Sequence, residues 1–254
     1  MSTPSIDLNC DLGEYDSPSE GASDAKIMPF ISSCNIACGA HAGNQPVIKQ
    51  TVQWAINHQV KIGAHPAYPD RENFGRTVMR INRVDLQTSI QQQIMLVKQQ
   101  AEACGGELHH IKPHGALYNQ AATDASLAEL IVEVVAAVDS GLLVYGLAHS
   151  ELATAASKLG LGFVAEGFAD RAYTATKTLL PRHLDGACID DPKRQLQQAL
   201  QLLQKGQVNT VSGESVRISV ATMCLHGDHP NAVAAARTLN QGIKAAGFSI
   251  QAPS

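Results

Sequence analysis

Side chains able to do chemistry fall in short clusters, each placed just after an apolar run. The first run ends in Asn9-Cys10-Asp11-Leu12-Gly13-Glu14, the second in Ala37-Cys38-Gly39-Ala40-His41, and the third in Gly63-Ala64-His65-Pro66, leading on to Asp70-Arg71. Lys112-Pro113-His114-Gly115-Ala116-Leu117-Tyr118, Glu166-Gly167-Phe168-Ala169-Asp170-Arg171 and His226-Gly227-Asp228 close three more. Carboxylates beside imidazoles suit general acid–base work on a carbonyl substrate. Asp11, His41 and His65 are also a carboxylate and two imidazoles, a common ligand set for a divalent metal, and both uses stay open. Lys112 could neutralise a carboxylate or phosphate or stabilise an oxyanion, or instead form a structural ion pair with Glu166. Taken singly, an Asp after a strand caps a helix and a lone His is structural. Recurrence of the pattern at one strand end after another is what marks a site.

Those clusters need elements that bring them around one axis. Short β-rich segments at roughly 5–12, 33–38, 60–65, 108–113, 142–148, 162–167 and 216–225 read as strands. Helical stripes lie between them: Leu86, Ile90, Ile94, Val97 and Ala101; then Leu127, Leu130, Ile131, Val134, Val135 and Val138; then Leu196, Ala199, Leu200 and Leu203. Gly105-Gly106 is placed to end the first of these helices, and Pro46 and Pro230 to begin two others. The polar stretch at roughly 66–85 reads as one functional loop. Strict β-then-α alternation with seven strands predicts a parallel sheet closed into a single-domain β/α barrel over residues 1–254, with the clusters on its active face. Gly39, Gly63, Gly115, Gly167 and Gly227 are expected to let a small ligand approach the backbone.

Composition removes several classes of function. A formal net charge of -4 gives no footprint for nucleic acid. No apolar run approaches the roughly 20 residues of a membrane span, and the N-terminus lacks a signal-peptide pattern, so a cytoplasmic location is expected. The six cysteines are expected to be thiols; Cys34 and Cys38 form a C-x3-C pair with no second pair to complete a zinc site. Neither a G-x-G-x-x-G nor a Walker A pattern is present, so no nucleotide site of the chain's own is expected.

Asp7-Leu8-Asn9-Cys10-Asp11-Leu12-Gly13-Glu14, Asn35-Ile36-Ala37-Cys38-Gly39-Ala40-His41-Ala42-Gly43, Gly63-Ala64-His65-Pro66, Lys112-Pro113-His114-Gly115-Ala116-Leu117-Tyr118, Glu166 to Tyr173 and His226-Gly227-Asp228 together resemble the LamB/YcsF family, colinearly over essentially the whole chain. The resemblance implies a seven-stranded barrel related to polysaccharide deacetylases. It further implies the A subunit of a bacterial 5-oxoprolinase, which with B and C partner subunits opens 5-oxo-L-proline to L-glutamate at the expense of ATP. On that basis the partners bind ATP and phosphorylate the lactam oxygen, and this chain adds water to the activated ring carbon and releases phosphate and glutamate. Asp11 or Glu14 is then the general base, His41 and His65 position water or shuttle protons, and Lys112 stabilises charge, with Glu166 counted among the catalytic groups. Asn9, Asp70, Arg71, His114, Tyr118, Asp170, Arg171, His226 and Asp228 are the substrate-binding candidates, the arginines suited to a bidentate grip on carboxylate or phosphate. A divalent metal in this chain is left open. Competing expectations are a free-standing metal-dependent amidase or deacetylase using Asp11, His41 and His65, and a non-catalytic small-ligand-binding barrel. Against the last, a sugar site would show stacking aromatics, whereas only 4% of residues here are aromatic.

Overall fold

Alternating apolar strands and amphipathic helices fold into a closed ring. The computed structural model describes residues 3–254. In chain order its first half comprises β1 (Ser5–Leu12), α1 (Ala22–Ile27), β2 (Ser33–Ala37), α2 (Gln45–Asn57), β3 (Lys61–His65), α3 (Arg83–Ala103), β4 (Leu108–Ile111), α4 (Gly115–Ala121) and α5 (Ala125–Val138). Its second half comprises β5 (Leu143–Leu147), α6 (Glu151–Leu159), β6 (Phe163–Phe168), α7 (Pro192–Lys205), β7 (Gln207–Asn209), β8 (Ser215–Arg217), β9 (Thr222–His226), α8 (Ala232–Ala245) and β10 (Ser249–Ile250). Strands β1 to β6 pair in order, β9 follows β6, and β9 pairs back onto β1, all parallel. Seven strands thus close a barrel, as the sequence predicts.

Three expectations need correction. The segment 216–225 is not one strand. Its start pairs antiparallel with β7 as a hairpin, closed through Gly213 at φ +86°, and only β9 joins the barrel. The β-branched run across the break hides it from periodicity. Helix α8 starts at Ala232 behind Asn231, so Pro230 lies outside it. In α7 the buried face is Gln195, Ala199 and Leu202; of the expected stripe Ala199 is buried, while Leu196, Leu200 and Leu203 lie half-buried beside it. The stripes of α3 and α5 are buried as expected, except that Val138 is only half-buried.

Inside the ring the side chains are largely polar. Hydrogen bonds skip over whole strands, which only inward-facing groups can do: Asn9 Nδ2 donates to Glu166 Oε1 at 2.9 Å, and His110 Nε2 lies 2.8 Å from Asn35 Oδ1. Asp7 accepts from Ser32, Ser33 and Thr222. Gly63 makes room for this layer, because a Cβ there would sit 2.1 Å from His110 Nε2. That glycine serves a protein side chain, not a ligand as expected.

Candidate active site

The barrel's C-terminal rim gathers the reactive groups. Asp11 lies at the end of β1, His65 and His226 are the last residues of β3 and β9, Lys112 follows β4 directly, and His114 is the N-cap of α4. Glu14 is thrown into the same space by a turn at Gly13, whose φ of +73° suits glycine. The Gly13 N–H donates to Asp24 Oδ2 at 2.7 Å, so buried Asp24 holds that turn. Burial pushes the Asp24 carboxyl up to about 7. His41 reaches in from the loop before α2 and stacks on His114, ring centroids 3.8 Å apart.

Contacts run through this cluster as a chain. His65 Nε2 lies 3.3 Å from Asp11 Oδ2 and 3.0 Å from His114 Nδ1. His114 Nδ1 lies 3.3 Å and His41 Nε2 3.2 Å from Glu14 Oε1. The expected trio of Asp11, His41 and His65 is therefore divided: His41 belongs with Glu14 and His114, while His65 touches Asp11. Burial alone would raise the Asp11 carboxyl, but charge at His65 and Lys112 outweighs it and holds the group well below the usual carboxylate range. Burial likewise opposes ionisation of Glu14, and hydrogen bonds from His114 and His41 override it. Burial and the neighbouring His114 push His41 down to about 4. His226 Nδ1 donates to Asp170 Oδ2 at 2.8 Å, and Asp170 also accepts the His226 backbone N–H. Burial would raise Asp170, yet the charge and hydrogen bonds of His226 bring it down to about 2. Asp170 is thus an orienter of His226, whose Nε2 lies 3.8 Å from Asp11 Oδ2.

Of the two readings open for Lys112, the structure shows the ion pair with Glu166. Its ammonium lies 2.9 Å from Asp11 Oδ1, 2.9 Å from Glu166 Oε1, 3.0 Å from Cys224 Sγ and 3.3 Å from Asn9 Oδ1. Three N–H donors are all engaged, which leaves none free for an oxyanion. Burial alone would lower this lysine; Asp11, Cys224 and Glu166 raise it well above its usual value. Glu166 and Asn9 are fully buried partners within this network, not groups facing substrate.

A cavity of about 710 Å³ opens over the cluster. Asp11, Glu14, His65, Lys112, His114 and His226 line its polar end, and Leu147, Phe168, Leu179 and Leu180 line an apolar wall that Tyr118 joins. Burial and the charge of Glu166 raise the Tyr118 phenol well above its usual value. Asp70 and Arg71 stay outside this cavity. Asp70 caps the turn at Asn73, and Arg71 pairs with Asp16 and donates to the carbonyls of Gly39 and Gly43. Arg171 lines the cavity, with its Nη2 donating to the carbonyl of Leu180 and its Nε to that of Ala187. Arg76 and Arg182 also face the cavity with donors to spare, both held by Asp228 at 2.6 and 3.2 Å. Asp228 is therefore an anchor between two loops. Sequence reasoning missed both arginines. Arg76 lies in the polar stretch already marked as functional, but Arg182 sits in a long segment after β6 that carries no strand-end signal.

The six cysteines are all free, and Cys10, Cys34, Cys38 and Cys224 are buried. Among the described residues no helix is long and apolar enough to cross a membrane.

Comparison with known proteins agrees with this architecture. A protein from Bacillus thuringiensis subsp. konkukian (strain 97-27), named as the A subunit of 5-oxoprolinase, is 43% identical over 249 residues, covering 98% of each chain. The crystal structure of a lactam utilization protein from Thermus thermophilus superposes with a TM-score of 0.91 at 36% identity, over 98% of this chain and 100% of that one. A family 4 carbohydrate esterase from Streptomyces lividans in complex with acetate shares the fold alone, with a TM-score of 0.52 at 12% identity, over 100% of this chain and 95% of that one. The LamB/YcsF family matches residues 6–254, and this chain belongs to that family.

Proposed function

We propose that this chain is the lactam-hydrolysing subunit of an ATP-dependent 5-oxoprolinase, opening 5-oxo-L-proline to L-glutamate. The observation that carries the proposal is the convergence of two carboxylates held ionised and several imidazoles at the floor of a half-apolar cavity. The names of the full-length relatives supply the substrate class.

Hydrolysis needs water deprotonated as it attacks the lactam carbon and a proton delivered to the departing ring nitrogen. His226 is suited to the first of these steps, because Asp170 fixes its Nδ1–H and leaves Nε2 free beside Asp11 Oδ2. His65 and His114 sit where the second proton is needed, at the Glu14 side of the same cavity. Lys112 acts as a positioning residue, keeping Asp11 ionised and its Oδ2 turned to the cavity side of the network. Arg76 and Arg182 are placed to hold the substrate carboxylate or a phosphate, bidentate recognition being the strength of a guanidinium. The apolar wall of Leu147, Phe168 and Tyr118 would pack on the ring methylenes.

An unstrained lactam is a poor electrophile, and the sequence holds no phosphate-binding loop. ATP is therefore bound by B and C partner subunits, which phosphorylate the lactam oxygen; water then adds to the ring carbon, the C–N bond opens, and a second water releases phosphate and leaves glutamate. The assembly works in the cytoplasm with this chain as one domain over residues 1–254. The decisive assay is glutamate formation from 5-oxoproline with ATP, by this chain alone and with its partners. Coupled turnover is expected only in the complete set; full turnover by the isolated chain would overturn the division of labour.

A further inference from the structure

Floor and rim of the cavity carry opposite charge. At the floor Asp11 and Glu14 are held ionised. At the rim stand Arg76, from the loop after β3, and Arg171 and Arg182, from the segment between β6 and α7. Arg171 is buried, and its hydrogen bonds go to the carbonyls of Ala187 and Leu180, which bring no countercharge. Those bonds use Nε and Nη2 and leave Nη1 unspent. A buried charge without a partner is costly. Burial and the charge of Arg182 both push the Arg171 guanidinium below its usual value, so the two cations stand close enough to repel. An anion between them relieves both costs.

The other two arginines are drawn to one point. Arg76 Nη2 and Arg182 Nη1 both donate to the same oxygen, Asp228 Oδ2, so a single carboxylate oxygen bridges the loops across the mouth. Each guanidinium keeps most of its N–H donors after that contact. Arg76 is steadied further by lying over the Phe74 ring, 4.7 Å from its centroid. Asp170, the next carboxylate acting on Arg182, already accepts twice from His226. Three guanidiniums thus have Asp228 as their one dedicated counter-anion.

The number of cations selects the anion. A carboxylate has its oxygens in one plane and is matched by a single guanidinium fork. A phosphoryl group carries more oxygens and about two negative charges, which suits several guanidiniums at once. The cavity, at about 710 Å³, is also far larger than a five-membered lactam and leaves room for such a group on the ring. We propose that Arg76, Arg171 and Arg182 form a phosphoryl-binding subsite, with Asp228 as the counter-anion that the ligand displaces. Resting on the 5-oxoprolinase reading, the subsite holds the phosphoryl group of the activated lactam while the ring carbon faces Asp11 and His226. Inorganic phosphate, released by the reaction, competes for the same place and restrains the enzyme as its product.

Binding is read on the isolated chain by calorimetry, with inorganic phosphate as titrant and acetate as the carboxylate for comparison. One phosphate per chain is expected, bound more tightly than acetate. Arg76→Gln and Arg182→Gln, both on exposed loops, should each weaken it by about tenfold or more, charge-assisted hydrogen bonds being the strong ones. Arg171→Lys, checked for folding by circular dichroism, should weaken it too, because lysine lacks the planar fork. Asp228→Asn should tighten binding severalfold, since the competing charge is gone. Arg71→Gln, outside the cavity, should bind as the parent does. Equal affinity for acetate, or phosphate binding unchanged in Arg76→Gln and Arg182→Gln, would overturn the subsite. In the reconstituted assembly phosphate should inhibit glutamate formation, and less so in Arg182→Gln. Binding lost in the variants with turnover and inhibition as in the parent would remove the subsite from the reaction. A complete assembly that yields no glutamate, beside an isolated chain that binds phosphate through these arginines, would sink the 5-oxoprolinase reading and leave the subsite standing.

Discussion

Two polar layers lie one above the other in this barrel, and they are finished differently. In the lower layer Asp7, Asn9, Asn35, His110, Glu166 and Thr222 bond mainly to one another. In the upper layer Asp11, Glu14, His41, His65, His114 and His226 crowd carboxylates against imidazoles and line or border an open cavity. Buried polar groups stabilise only when satisfied. The lower layer therefore reads as scaffold, and the upper one as a surface left for something else to complete. Lys112 is the seam, with one bond down to Glu166 and one up to Asp11.

The sharpest way to break this division is to remove one upper carboxylate. Asp11→Asn should leave a folded barrel and depress coupled glutamate formation by about 10²–10⁴-fold, roughly 3–5 kcal/mol of barrier. Near-normal turnover in the reconstituted assembly would move Asp11 into the scaffold. The seam itself should answer in stability. Lys112→Met leaves Asp11 and Glu166 buried without their cation, a loss of about 3–5 kcal/mol in denaturant unfolding. Adding Glu166→Gln should return part of that stability without returning activity, because Asp11 still lacks its partner. Full recovery of turnover by the double change would show the lysine to be dispensable to the site.

Asp24 tests whether the turn under Glu14 belongs to the scaffold. Its carboxyl stands near 7 in the folded chain against an ordinary value of 3.8, raised by burial. A raised carboxyl favours the folded state while protonated, so its contribution is whole below about pH 4 and is lost as pH climbs to about 7. At 1.36 kcal/mol per unit, the loss approaches about 4 kcal/mol. Asp24→Asn keeps an acceptor for the Gly13 N–H and removes the charge. Urea melts of the two proteins should agree near pH 4 and diverge in favour of the variant up to about pH 7. Parallel curves across that range would place the ionisation elsewhere.

The barrel and the upper layer were largely legible in the sequence, because each strand end carries its polar residue in the same frame. Asp11, His65, Lys112 and His226 sit within a residue of a strand's last position, where periodicity alone puts them. What stayed hidden depends on the third dimension. Nothing in the spacing of Lys112 tells that all its protons are taken, or that Gly63 is small for the sake of His110. Arg71 and Arg182 look equally suited to an anion in one dimension, and the loops alone decide between them.

That pair gives the smallest and most discriminating test. Both are arginines on loops above the same rim, and both pair with a single aspartate. Arg182 lines the cavity and has donors left after its contact with Asp228, so Arg182→Gln should raise KM for 5-oxoproline by about tenfold or more, charge-assisted hydrogen bonds contributing about 1.5–3 kcal/mol. Arg71 is turned away, bound to Asp16 and to two backbone carbonyls on an exposed surface. An exposed ion pair of this kind contributes about 0–1 kcal/mol. Arg71→Gln should therefore shift the melting temperature slightly and leave KM and kcat where they were. A KM defect confined to Arg71→Gln would mean that the substrate anion is held beyond the edge of the cavity. The anion would then have to be sought between the loops after β2 and β3.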